Sequence, residues 1–324
     1  MKNDIKFIDL CAGIGGFHLA LKDNASCILA SEINLDCQIV YENNFNIKPV
    51  GDLAQIETSN IFDFDLLCAG FPCQPFSISG KQLGFNDNRG NIFFNILSII
   101  KNKKPKTILL ENVKNLINHD KGNTIKVIIK SLEEVGYNVT YKVLNSIDFG
   151  VPQNRERIII VGDLNKKFDF NKIKYKNNVN LSEFLIKNEY KYLEKNEYTL
   201  INKELWKKQN SGLIFCGYLN KNTRVQKSEK INLNLSRYHR QPNRIYHING
   251  VNPTVSSQEL AGRYYVYDTI GVRKLTIDEI YSIMGFPKNF IKSDSKINQY
   301  KQIGNSVCIP MIKEVCDEII NQLY

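Results

Sequence analysis

Cys73 stands in the setting Gly70-Phe71-Pro72-Cys73-Gln74-Pro75-Phe76-Ser77, just after a short apolar run, Phe64 to Cys68. Two prolines and the glycine-studded stretch that follows resist regular structure. Most cysteines are inert core residues. A thiol just past the carboxyl end of a strand, in such a setting, is instead placed for nucleophilic chemistry. The thiolate is the attacking species, so a reactive Cys73 must be activated by its surroundings.

Three further constellations can do chemistry. Asp9-Leu10-Cys11-Ala12-Gly13-Ile14-Gly15-Gly16-Phe17 reads as strand, glycine turn and helix, which lets backbone approach a nucleotide-like ligand. It is not G-x-G-x-x-G, and any tight strand-to-helix turn can use glycines. Glu32, ending the next apolar run, can accept from both hydroxyls of a ribose, and Asp52 in Val50-Gly51-Asp52-Leu53 can bind an adenine amino group. Singly, each carboxylate reads as a surface residue or helix cap. Together with the turn they point to an adenosine-containing cofactor.

Glu111 follows the run Ile108-Leu109-Leu110. Such a carboxyl can be an N-cap or ion-pair partner; near Cys73 it can instead hold a raised pKa and donate a proton. In Gln153-Asn154-Arg155-Glu156-Arg157 the two arginines share a face if a strand has begun. They suit a phosphate or a substrate ring, or else form an exposed charge pattern.

These residues need a scaffold. Apolar runs at Lys6–Leu10, Cys27–Ser31, Phe64–Cys68, Lys106–Leu110 and Arg157–Val161 alternate with helical patterns beginning at Phe17 and spanning Ile92–Lys101 and Asn123–Val135. The alternation predicts an α/β fold with a doubly wound, mostly parallel sheet, whose ligands sit at the carboxyl ends of strands. From about 165 to Asn180 the Asn/Lys-rich chain reads as a linker. Irregular, Tyr-rich β structure follows to about 276, with Arg263–Tyr267 its clearest strand. Helices are expected at Ile277–Met284 and Met311–Leu323, the latter packing back on the first domain. The division expected is therefore 1–190 with 277–324 as a discontinuous catalytic and cofactor-binding domain, and 191–276 as a second, smaller one.

Composition narrows the class. The first residues carry no apolar run and no stretch reaches transmembrane length, so a cytoplasmic protein is expected. Eight cysteines without a C-x-x-C pair and four scattered histidines suggest reduced thiols and no metal. Of the formal net charge of +10, residues 201–250 hold ten basic side chains against Glu204 and Glu229. Aromatics and arginines are interleaved there, as on a polyanion-binding surface, although lysine-rich faces are often merely solvated.

The ordered set of motifs resembles the bacterial DNA (cytosine-5) methyltransferases of the restriction-modification type. It runs from the turn at Asp9–Phe17 through Glu32, Asp52, the Phe-Pro-Cys-Gln-Pro-Phe-Ser segment, Arg89-Gly90, Glu111-Asn112-Val113 and Gln153-x-Arg155-x-Arg157. It continues through Arg273-Lys274-Leu275-Thr276 and Gly285-Phe286-Pro287 to Gly304-Asn305-Ser306-Val307, nearly the full chain. The resemblance implies an S-adenosylmethionine-dependent methyltransferase fold with an irregular β-rich DNA-recognition domain. It implies Cys73, Glu111, Arg155 and Arg157 as catalytic residues, Cys73 adding to cytosine C6 and the methyl of S-adenosyl-L-methionine passing to C5. Cofactor contacts are implied for Cys11, Ala12, Gly13, Ile14, Gly15, Gly16, Phe17, Glu32, Ile33, Asp52, Leu53, Pro72, Ile92, Asn305 and Ser306. Cys11 and Ile33 depart from the family, which often carries a Phe and a bulkier residue there, so stacking on adenine is expected to be weaker.

A base within a duplex cannot meet a thiol, so the resemblance also implies base flipping. The loop Phe76–Asn91, with Gly80, Gly84 and Gly90, would close over DNA, bringing Ser79, Lys81 and Arg89 to it. Arg240, Gln241, Arg244, Thr254, Ser256 and Arg263 are candidates for DNA contact in the basic segment. Double-stranded DNA is the partner expected, with room for a companion restriction endonuclease acting on the same site; a monomer is expected. An RNA cytosine-5 methyltransferase and a non-catalytic DNA-binding relative are the alternatives.

Overall fold

The computed structural model describes residues 5–72, 92–186, 189–221, 232–259, 262 and 264–324. Cys73, Ser79, Lys81, Arg89 and Arg263, with the loop glycines, lie outside them.

The first half of the chain builds one sheet. Its strands are β1 (Ile5–Leu10), β2 (Ala25–Ser31), β3 (Leu66–Gly70), β4 (Thr107–Val113), β5 (Asn138–Asn145) and, after the two-residue β6 (Gln153–Asn154), β7 (Glu156–Asp163). They lie in the order β2-β1-β3-β4-β7-β5. The contacts of β1 with β2 and β3 and of β3 with β4 are parallel; β7 runs antiparallel between β4 and β5. The helices connecting them are α1 (Gly16–Leu21), α2 (Leu35–Phe45), α3 (Ile92–Lys103) and α4 (Asn123–Glu134).

Strand alternation sends successive side chains to opposite faces, and each face is covered. Phe7, Leu66, Cys68, Leu109, Ile159 and Val161 pack with α1 and α7 (Ile309–Leu323). Their neighbours Ile8, Leu67, Ala69, Ile108, Leu110, Ile158 and Ile160 pack with α3 and α4. This is the doubly wound arrangement.

The Asn/Lys-rich stretch after 165 corrects the linker reading. Phe168, Phe170 and Ile173 are buried in the core beneath α7, the Asp169 amide donates to Gln322 Oε1 at 2.9 Å, and the Lys174 amide donates to Glu314 Oε1 at 2.9 Å. Three apolar side chains suffice to strap this segment down, although its composition is polar.

A second, five-stranded sheet has the order β13-β12-β10-β9-β8. Its strands are β8 (Tyr198–Leu200), β9 (Phe215–Leu219), β10 (Arg244–His247), β12 (Tyr265–Tyr267) and β13 (Val272–Lys274). Its core is small: Cys216, Leu219, Ile245 and Val272 on one side, Ile201, Phe215 and Tyr246 on the other. The remaining strand, β11 (Asn252–Pro253), leaves this sheet and pairs in parallel with β6. Helix α5 (Ile277–Ile283) starts in a capping box of Thr276 and Glu279, and α6 (Lys296–Asn305) is capped by Ser295. Among the described residues no helix is long and apolar enough to cross a membrane.

Candidate active site

The carboxyl ends of β1, β2, β3 and β4 open onto a cleft of about 440 Å³, a size typical of small-molecule sites. The turn after β1 enters it through Cys11 and Gly13, both with positive φ. Gly15 and Gly16 stand behind it. A Cβ on Gly15 would lie 2.1 Å from the Phe45 ring, and one on Gly16 would lie 2.5 Å from the Val307 side chain. Close packing of turn against helix is why glycine is needed there.

Glu32 follows β2 and is fixed by backbone: Oε2 accepts from the Gly13 amide at 2.9 Å and Oε1 from the Asn34 amide at 2.8 Å. Asp52 Oδ1 caps a 3-10 turn by accepting from the Ala54 amide at 2.9 Å, and the residue also lines the cleft. The cap and ligand readings of Asp52 are therefore compatible, because a carboxylate has several acceptor sites. Leu53, Ile33 and Ile92 add apolar wall. Ile33 is 72% exposed at the mouth, apolar surface that a ligand would cover. The thiols of Cys11 and Cys37 are pushed up to about 12, by burial first and then by Glu32, so both are neutral wall.

Glu111 pairs in register with Gly70 of β3, three residues before Cys73, and with Ile159 of β7. Arg157 Nε meets Glu111 Oε1 at 2.9 Å, with both side chains nearly buried. Burial raises the Glu111 carboxyl above its ordinary 4.5, against the opposing pull of Arg157 and then Arg155. The neighbouring Asn112 donates its Nδ2 to the Phe71 carbonyl at 2.8 Å and so ties β4 to the segment leading through Pro72 into Cys73.

Arg155 sits in the break between β6 and β7, only 1% exposed. It reaches the cleft, but its Nη atoms are committed to carbonyls: Nη1 to Val255 at 3.3 Å, Nη2 to Gly304 at 3.1 Å and to Ser306 at 2.6 Å. Its Nε has no hydrogen-bond partner among the described residues.

The residues expected from sequence thus separate by place. Cys11, Gly13, Glu32, Ile33, Asp52, Leu53, Pro72, Ile92, Glu111, Arg155, Arg157 and Asn305 line one cleft. Ala12, Ile14, Gly15, Gly16, Phe17 and Ser306 do not; Ala12 packs with Tyr41, Phe17 lies in the sheet core, and the Ser306 carbonyl holds Arg155. Cys37, Lys301 and Gln302 also line the cleft, and sequence reading missed them. Cys37 follows an N-cap, Asn34, that marks the start of α2. Among the described residues no group of three His, Cys, Asp or Glu is gathered as for a metal.

The DNA-contact candidates among the described residues do not line this cleft. Arg240 and Gln241 are exposed in the turn before β10, and Arg244 donates its Nε to the His239 carbonyl at 3.1 Å. Thr254 donates its Oγ1 to the Asn154 carbonyl at 2.7 Å, and Ser256 Oγ accepts from the Gln258 amide at 3.2 Å.

Known proteins are similar to this chain along nearly its whole length. Type II methyltransferase M.HaeII of Haemophilus aegyptius is 40% identical, over 99% of this chain and 94% of that protein. Type II methyltransferase M.HhaI of Haemophilus parahaemolyticus is 37% identical, over 98% and 95%. The crystal structure of the S. pombe Dnmt2 methyltransferase superposes with a TM-score of 0.70 at 19% identity, covering 98% of this chain and 99% of that one, a likeness of fold. The model of the C-5 cytosine-specific DNA methylase family matches residues 5–321, and this chain is a member of that family and an enzyme of its class.

Proposed function

We propose that this enzyme methylates C5 of a cytosine within a short sequence of double-stranded DNA, using S-adenosyl-L-methionine. The observation that carries the reading is the Glu111–Arg157 pair opening onto the same cleft as Glu32 and Asp52, one strand away from the entrance to Cys73. The donor set fits the cofactor. Two backbone-anchored carboxylates suit ribose hydroxyls and an adenine amino group, and Cys11, Ile33, Leu53 and Ile92 offer apolar contact to the purine. The bound cofactor supplies an electrophilic sulfonium methyl.

Cytosine C5 is a poor nucleophile until something adds at C6. Cys73 forms a bond to C6 as thiolate, the ring electrons shift so that C5 becomes the nucleophilic carbon of an enamine, and C5 would take the methyl as the broken carbon–sulfur bond leaves its electron pair on the departing thioether sulfur. Glu111, its carboxyl raised by burial, holds a proton at the N3 edge as the ring becomes electron-rich. Arg157 keeps Glu111 in place and supports the charge. Loss of the C5 proton to a base then expels Cys73 as thiolate, leaving 5-methylcytosine. Residues 1–190 with 277–324 would do this chemistry; residues 191–276, with the basic surface, would read DNA from which the base is flipped. Every part lies in one chain, so a monomer suffices, and a companion endonuclease would act on the same site without stable contact.

The test is transfer of labelled methyl from S-adenosylmethionine to unmethylated DNA, followed by base-resolution mapping. Methylation confined to C5 in one short motif is expected, together with its loss in Cys73→Ser. Transfer to RNA and not DNA, or undiminished turnover in Cys73→Ser, would overturn the reading.

A further inference from the structure

We propose that Arg155 is a positioning residue that locks the 254–257 segment against the end of α6, so that DNA and cofactor bind cooperatively through it. The proposal rests on the methyltransferase reading above. Its physical content is a junction of three stretches remote in sequence. The guanidinium spans 100 residues to the Val255 carbonyl, 149 to that of Gly304 and 151 to that of Ser306. A planar fork with several donors can hold carbonyls on two segments at once, which a lysine ammonium on a flexible stem does less well.

The two held segments touch directly. A Cβ on Gly304 would come within 2.3 Å of the Ser256 carbonyl carbon and oxygen, so the backbones are already in contact there. Further hydrogen bonds hold the 254–257 segment. The Val255 amide donates to Gln153 Oε1 at 3.0 Å, Thr254 is tied to Asn154, and the buried Tyr264 donates its hydroxyl to the Ser256 carbonyl at 2.8 Å. On the far side, Gly304 and Asn305 form wall of the cofactor cleft. Ligand contacts that fix the end of α6 therefore fix the DNA-facing segment, and the converse follows by linkage.

A residue that only stabilises the fold would weaken each ligand separately and leave their mutual effect unchanged. The decisive measurement is thus the factor by which DNA tightens binding of S-adenosylhomocysteine, which permits no turnover. It is read by calorimetry on the full chain with a duplex carrying the mapped motif. For the native protein a factor in the range of about 5–150 is expected, and for Arg155→Met a factor within about twofold of one. Tyr264→Phe, which removes one hydroxyl from the same segment, should give an intermediate factor and decides the matter if Arg155→Met does not fold. A native factor of one, or a native-like factor in Arg155→Met (in Tyr264→Phe, should the first not fold), overturns the proposal. Failure of the native protein to bind S-adenosylhomocysteine at all would instead bring down the methyltransferase reading, and this proposal with it.

Discussion

In the six-stranded sheet Glu111 meets Arg157 at 2.9 Å and faces a cleft; beside the five-stranded sheet Glu279 is wrapped on every side. Its Oε1 accepts from Arg273 Nη2 at 2.9 Å, the Tyr190 hydroxyl at 3.1 Å and the Ile186 amide at 3.2 Å. Its Oε2 accepts from Arg273 Nη1 at 2.9 Å and the Thr276 amide at 2.8 Å. Arg273 in turn bonds Asp268 at 3.0 Å and stacks 3.6 Å from the Tyr190 ring centre. Both are buried arginine–glutamate pairs. One saturates its acceptors and serves structure. The other keeps acceptor capacity toward a cavity, and burial raises its pKa, the condition for proton chemistry.

Breaking each pair should separate these roles. Glu111→Gln is expected to lower the rate of methyl transfer by about 10²–10⁴-fold with the melting temperature little changed; a rate within a few-fold of the native would remove Glu111 from the chemistry. Glu279→Ala should destabilise the fold by about 3–5 kcal/mol, because it strands the Arg273 charge in the interior. Activity per folded molecule should be retained, and denaturant unfolding beside single-turnover rates would show whether it is.

The pH dependence sharpens the contrast further. A carboxyl whose pKa is raised on folding contributes stability below its unfolded value, and that contribution is lost as pH rises through the folded value. The stability of native protein relative to Glu111→Gln should therefore fall as pH rises above about 4.5, as read from denaturant midpoints. A rising difference would mean that Arg157 outweighs burial. The smallest effect is expected for Thr276→Ala, which removes the hydroxyl accepting from the Glu279 amide at 3.2 Å. Loss of about 1 kcal/mol and no kinetic change is predicted.

Much of this was legible along the chain because strands buried on both faces read as continuous apolar runs. Runs such as Phe64–Cys68 and Lys106–Leu110 announce themselves through adjacent residues, and Cys73 and Glu111 stand out as polar residues after their ends. Elements with weaker patterns escaped. Strand β5, Asn-Val-Thr-Tyr-Lys-Val-Leu-Asn, lies half-exposed at the sheet edge, and α6 mixes Ile297, Tyr300 and Ile303 with six polar residues. The 168–173 strap was hidden by the asparagines and lysines around it.

The residue types able to act as nucleophile, acid and cofactor carboxylates, and their order along strands, were thus determined by sequence alone. Tertiary structure decided which of them share a cavity. By sequence Arg155 and Arg157 share a face if a strand has begun; in the fold the strand breaks at 155, turning Arg155 inward while Arg157 meets Glu111. Lys301 and Gln302 likewise reach the cleft only because α6 docks there, with Gln302 Nε2 donating to the Asp36 carbonyl at 3.1 Å. The contacts of Arg155 and Gln302 depend on closing loops of 100 residues or more, and no periodicity between near neighbours encodes them.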